Sequence, residues 1–66
     1  MVIEKEGRIL SQIFRIQVLI NGFWYNKSQN QNERIALLRT MDYVKSTGQK
    51  HRIIDSQGRL IDLINP

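Results

Sequence analysis

No cysteine occurs in the 66 residues, so disulfides, thiolate metal sites and a cysteine nucleophile are excluded. Histidine occurs once, as His51, and the acidic residues are scattered, so neither a metal site nor a cofactor is expected. No apolar run approaches the roughly eighteen residues that a bilayer-spanning helix needs. At the N-terminus, MVIEKEGRIL, the charged Glu4, Lys5 and Glu6 interrupt any apolar core that a signal peptide would require. These absences predict a cytoplasmic chain with no membrane partner, and missing cysteine fits a reducing compartment.

The length allows one domain. Folding at this size buries only about 60% of the surface exposed by the unfolded chain. Small domains usually add disulfides, a metal or self-association, and only self-association is left here. The net charge is +4 and the pI is near 10.0, which favours anionic partners in general. The basic residues are spread along the chain, as on an ordinary solvated surface.

In Ile9–Ile20, alternation from Phe14 onward places Phe14, Ile16, Val18 and Ile20 on one strand face and Arg15, Gln17 and Leu19 on the other. Asn21-Gly22 follows, a pair that tolerates the two positive φ angles of a two-residue hairpin turn. The register is then Ile20 opposite Phe23, Leu19 opposite Trp24 and Val18 opposite Tyr25. Phe23 and Tyr25 thereby join the core side, and Trp24 joins the other.

Residues 26–32 are polar, with Asn30/Glu33 or Ser28/Gln31 as capping pairs. A helix is predicted from there to about Thr47. Leu37, Leu38, Met41 and Val44 form its inward stripe, and Arg39, Thr40 and Tyr43 lie outside. Gly48 suits its C-terminal cap. In HRIIDSQGRLIDLINP, Asp55–Gly58 predicts a turn with a glycine bulge. That register pairs Ile54 with Leu60, Ile53 with Ile61, and Arg52 with Asp62. It puts Leu63 on the core side beside Ile53 and Ile61.

The expected fold is α+β, in the order ββαββ: two β-hairpins form a four-stranded, mainly antiparallel sheet with one helix packed on one face. Residues 1–8 are expected to be a flexible or strand-extending arm, and 9–66 the domain. RIQVLINGFWY, a helix and RIIDSQGRLID together resemble small bacterial or phage domains, a resemblance of fold that fixes no function; a small phage or bacterial regulator acting by interaction is the functional expectation.

One helix covers one sheet face. The open face is therefore the expected interaction surface, carrying Arg15, Gln17, Leu19, Trp24, Asn26, Arg52, Ile54 and Leu60, with Ile13 and Asp62 beside them. Trp and Arg frequently dominate interface energy. Three readings compete: a homodimer, docking of another protein, and single-stranded nucleic acid held by a stacking tryptophan and arginines. The aliphatic Leu19, Ile54 and Leu60 offer no stacking plane, which favours protein over nucleic acid.

KSTGQKHR, residues 45–52, is the densest basic stretch. Lys45, Lys50, His51 and Arg52 within it, together with Lys27, are the candidate anion contacts. A helix C-terminus repels anions, however, so basic residues complementing the helix end are the better reading. His51 is expected at the surface. A single sheet with one helix offers little concavity, so neither catalysis nor a small-molecule substrate is expected.

Overall fold

The computed structural model describes residues 12–66; the arm expected over residues 1–8 lies outside them. The element order is β1 (Phe14–Ile20), β2 (Phe23–Asn30), α1 (Glu33–Thr47), β3 (His51–Ile54) and β4 (Leu60–Ile64). The four strands form one antiparallel sheet in the order β2-β1-β3-β4. The fold is α+β, ββαββ, as the sequence predicts.

The turn chemistry follows the residue types. Asn21 and Gly22 take φ values of 52° and 86°, the left-handed pair that closes a two-residue hairpin. Ile20, Leu19 and Val18 then pair with Phe23, Trp24 and Tyr25. β2 runs on to Asn30, through most of the polar stretch in which the sequence reading places the helix caps. It does so with a bulge: Ile16 pairs with Ser28 and Gln17 with Asn26, so Lys27 is the extra residue.

The helix cap is Asn32, not Asn30 or Ser28. The Asn32 side chain accepts the Ile35 N–H at 3.0 Å, while Asn30 Oδ1 accepts the Asn32 N–H one step earlier. Gly48, at φ 69°, ends α1 as predicted, its N–H donating to the Val44 carbonyl at 2.9 Å.

The face of α1 that turns inward differs from the expected stripe. Ala36, Thr40 and Val44 are buried, with Leu37 and Tyr43 half-buried, whereas Leu38 and Met41 are about half exposed. The reason is steric. α1 lies over Phe14, Ile16 and Ile53, and a small residue at position 36 lets it approach the sheet. Thr40 can be buried because its hydroxyl donates to the Ala36 carbonyl at 2.7 Å.

The hairpin tip is also corrected. Ile20, Phe23 and Tyr25 share the helix-side face, yet Phe23 is 67% exposed and the other two stand clear of the core. α1 stops at Thr47, and Gln49–Lys50 re-enter the sheet beside Leu19, whose N–H donates to the Lys50 carbonyl. Nothing described from α1 covers the rung beyond. Tyr25 lies on β2, at the sheet edge.

In the second hairpin the Asp55–Arg59 closure and the Ile54–Leu60 pair form as predicted. Gly58, at φ 80°, supplies the left-handed residue. Ile61 is then a bulge, so Ile53 pairs with Asp62 and Arg52 with Leu63. The expected Ile53–Ile61 and Arg52–Asp62 pairs do not form, and Leu63 moves to the open face. The bulge still leaves Ile61 packed on the core.

Asp55 is buried, and its carboxylate accepts the N–H groups of Gln57 and Arg59 and the Nε–H of Arg59, at 2.9, 2.9 and 2.8 Å. These bonds, led by the Arg59 backbone N–H, outweigh desolvation and hold its carboxyl below the usual aspartate value.

Candidate interaction face

Alternation on the strands builds the open face. Arg15, Gln17 and Leu19 project from β1, while Phe14, Ile16 and Val18 are buried beneath α1. Opposed residues share a face. Leu19 therefore brings Trp24, Gln17 brings Asn26 and Arg52, and Arg15 brings Gln29 and Ile54. On β4, Leu60 joins Ile54 and Leu63 joins Arg52. All eight residues expected on this surface lie together on it.

Lys50, Leu63 and Gln29 belong to the face as well. Lys50 precedes the inward His51, and its carbonyl bonds to Leu19, so the strand alternation carries its side chain to the open side. Leu63 and Gln29 reach the face through the two bulges. No residue type announces either bulge, so alternation alone assigns these positions incorrectly.

A polar chain crosses the centre of the face. Gln17 Nε2 donates to Asn26 Oδ1 at 2.8 Å, and Arg52 Nε donates to Gln17 Oε1 at 2.7 Å. The Arg52 guanidinium carbon also lies 4.3 Å from the centre of the Trp24 ring, within cation–π range. Arg52 thus takes Gln17 and Trp24 as partners in place of the expected Asp62. Trp24 is half-buried as a result. Around this chain the apolar side chains lie in two groups: Leu19 with Trp24, and Ile54 with Leu60 and Leu63. Leu60 and Leu63 are 58% and 41% exposed.

The five anion-contact candidates do not converge. Lys50 and Arg52 belong to the open face, and Lys45 is exposed in the last turn of α1. Lys27 Nζ lies 4.5 Å from the centre of the Tyr43 ring on the helix side. His51 is fully buried, contrary to the surface position expected of it. Its ring stacks on Tyr43 at 5.8 Å between centroids, and Nδ1 lies 2.9 Å from the Gln49 carbonyl. A carbonyl oxygen only accepts, so Nδ1 is the donor in this contact. His51 Nε2 has no hydrogen-bond partner among the described residues.

Tyr43, expected outside, is the lid of this side of the core, with its hydroxyl 3.1 Å from Ser28 Oγ. The bulge at Lys27 is what turns Ser28 toward it.

A groove of about 740 Å³ lies between α1 and the end of β4, lined largely by Leu38, Met41, Val44, Ile64 and Pro66. The sequence reading foresees no such concavity. Among the described residues its charged rim is Asp42 and Lys45, of opposite sign, and no nucleophile–base pair converges there. Among the described residues no group of three or more His, Cys, Asp or Glu side chains could hold a metal, and no helix is long and apolar enough to cross a membrane.

Comparison with protein-family models, with curated proteins and with solved structures finds no match to this chain.

Proposed function

We propose that the protein is a non-enzymatic interaction module that engages another protein surface, a second copy or a different chain, through the open sheet face. The observation that carries this reading is the pairing of exposed Leu60 and Leu63 with a pre-organised polar centre, Asn26–Gln17–Arg52–Trp24. Exposed aliphatic residues give a surface to desolvate, and a fixed guanidinium beside an aromatic ring is the composition that concentrates binding energy at interfaces.

Single-stranded nucleic acid is the weaker reading, because among the described residues Arg52 lies over the one aromatic ring of the face and the remaining apolar groups are aliphatic. Four of the anion-contact candidates are scattered over three surfaces and the fifth, His51, is buried, which weakens it further.

The test compares a photo-crosslinking residue at Leu60 with the same residue at exposed Arg39 on α1, in extract of the host cell. A protein adduct from position 60 and none from position 39 is expected. An adduct of twice the 7.8 kDa chain mass identifies a second copy, and any other mass a different partner. Adducts from position 39 alone overturn the reading.

A further inference from the structure

The open face has a charge pattern that discriminates among partners. Arg15, Arg52 and Lys50 run diagonally across β1 and β3. None of the four described carboxylates accompanies them: Glu33 and Asp42 are on α1, Asp55 is buried in the β3–β4 turn, and Asp62 pairs with the inward Ile53. Beside the cations, Ile54, Leu60 and Leu63 form an aliphatic strip along the β3–β4 side.

Two copies joined by this face would desolvate their cations against each other with no described counter-charge on either side, an unfavourable arrangement. Nucleic acid would satisfy the cations but leave the aliphatic strip without a partner.

We infer that the open face docks an acidic amphipathic helix of a different protein. Its apolar stripe lies on Ile54, Leu60 and Leu63, and its flanking carboxylates meet Arg15, Arg52 and Lys50. The inference rests on the open face being the binding surface. Neighbouring strands lie about 5 Å apart, so the aliphatic strip and the cations fall within the roughly 10 Å width of one helix. Gln17 holds the Arg52 Nε–H at 2.7 Å, fixing the guanidinium plane, which bidentate carboxylate recognition rewards. An amphipathic helix that lays its apolar face on a hydrophobic surface is an established mode of peptide recognition.

Trp24 is the only tryptophan and sits on this face, so its emission reports occupancy. Two designed helical peptides with the same apolar stripe, one flanked by glutamates and the other by lysines, are titrated into the full chain at two salt concentrations. A single-stranded oligonucleotide is titrated in parallel, and backbone amide shifts locate the contact.

The glutamate peptide is expected to bind saturably and to move the amides of Gln17, Arg52, Ile54, Leu60 and Leu63. Its affinity should fall with salt and weaken about tenfold in Arg15→Gln and in Leu60→Ser, the size of loss seen for the minority of interface residues that carry most of the binding energy. Amide spectra of both variants confirm folding beforehand. Equal binding of the lysine peptide, or no response of the face to the glutamate peptide, overturns the inference. If the oligonucleotide or rising protein concentration moves those same amides instead, the acidic-helix assignment fails while the face survives as a binding surface. If the glutamate peptide shifts only α1 amides, both fail.

Discussion

Asp55 carries three hydrogen bonds on a buried carboxylate, and two of them come from backbone N–H groups of its own turn. Its carboxyl is held below the ordinary value of 3.8. The native state therefore binds fewer protons than the unfolded chain across the window below that value. The stabilisation is fully present above about pH 4 and is lost as pH falls through the lowered folded value. Urea midpoints measured between about pH 5 and about pH 2 should fall more for the wild type than for Asp55→Asn. Parallel curves for the two proteins would remove Asp55 from the account. The turn-forming role of Asp55 was legible in the sequence, because an aspartate before Ser-Gln-Gly is suited to a turn. The inward faces of His51 and Tyr43 were not. A polar ring at a strand start reads as surface unless the partner that stacks on it is known. The corrected helix face makes a paired prediction: Ile53→Ala should destabilise by about 2–5 kcal/mol, and Leu38→Ser by no more than about 0.5 kcal/mol, in urea unfolding. A large loss at Leu38 would restore the stripe read from spacing.

At the scale of elements, the two hairpins and the helix were legible because their punctuation is chemically specific. Asn21-Gly22, Gly48 and Gly58 all take the left-handed conformations that their positions predicted. The helix start was not, because NKSQNQN offers several cap formers and only the length of β2 selects Asn32. Asn32→Ala should cost about 1 kcal/mol. Gly48→Ala should cost about 1–2 kcal/mol through its positive φ, although an added methyl would meet nothing within 4 Å. Asn30→Ala should cost less than Asn32→Ala, since Asn30 orders the approach to the cap and does not satisfy an α1 donor. Thermal unfolding of the three variants checks the order. The helix face escaped the sequence reading for a related reason. Leu37, Leu38, Met41 and Val44 do share one arc of about 120°, but α1 is turned so that only the Leu37 and Val44 edge of that arc faces the sheet. The choice falls to Ala36 and Thr40, whose small size permits close approach to Ile16 and Ile53. The bulges at Lys27 and Ile61 likewise arise from pairing between strands and leave no mark in either strand alone.

For the whole molecule, topology was the most legible property and burial the least. Two hairpins joined by a helix leave few ways to complete one antiparallel sheet, and the chain takes the one with β1 beside β3. The described part measures 41 × 21 × 15 Å, and that elongation is what defeats a burial estimate based on facing alone. Facing depends on register, which the Asn-Gly turn sets. Burial depends on whether α1 reaches a given rung, and it does not reach Ile20 and Phe23. The buried apolar core is correspondingly small and lies toward the opposite end, around Phe14, Ile16, Ala36 and Ile53. Stability should therefore be graded along the long axis. Amides that open only with the core exchange at the global unfolding free energy, while those of a protruding hairpin end exchange through local fraying. Native-state hydrogen exchange should find the amides from Ile20 to Tyr25 exchanging at least about tenfold faster than those of Ile16 and Ile53, and responding little to low denaturant. Phe23→Ser should leave the slow core amides unchanged, since its ring contributes little to the packed centre. Equal protection along both ends of β1, or loss of core protection in Phe23→Ser, would mean that the hairpin tip is covered in solution, with the aromatic side chains of residues 23 and 25 held against a surface outside the described residues.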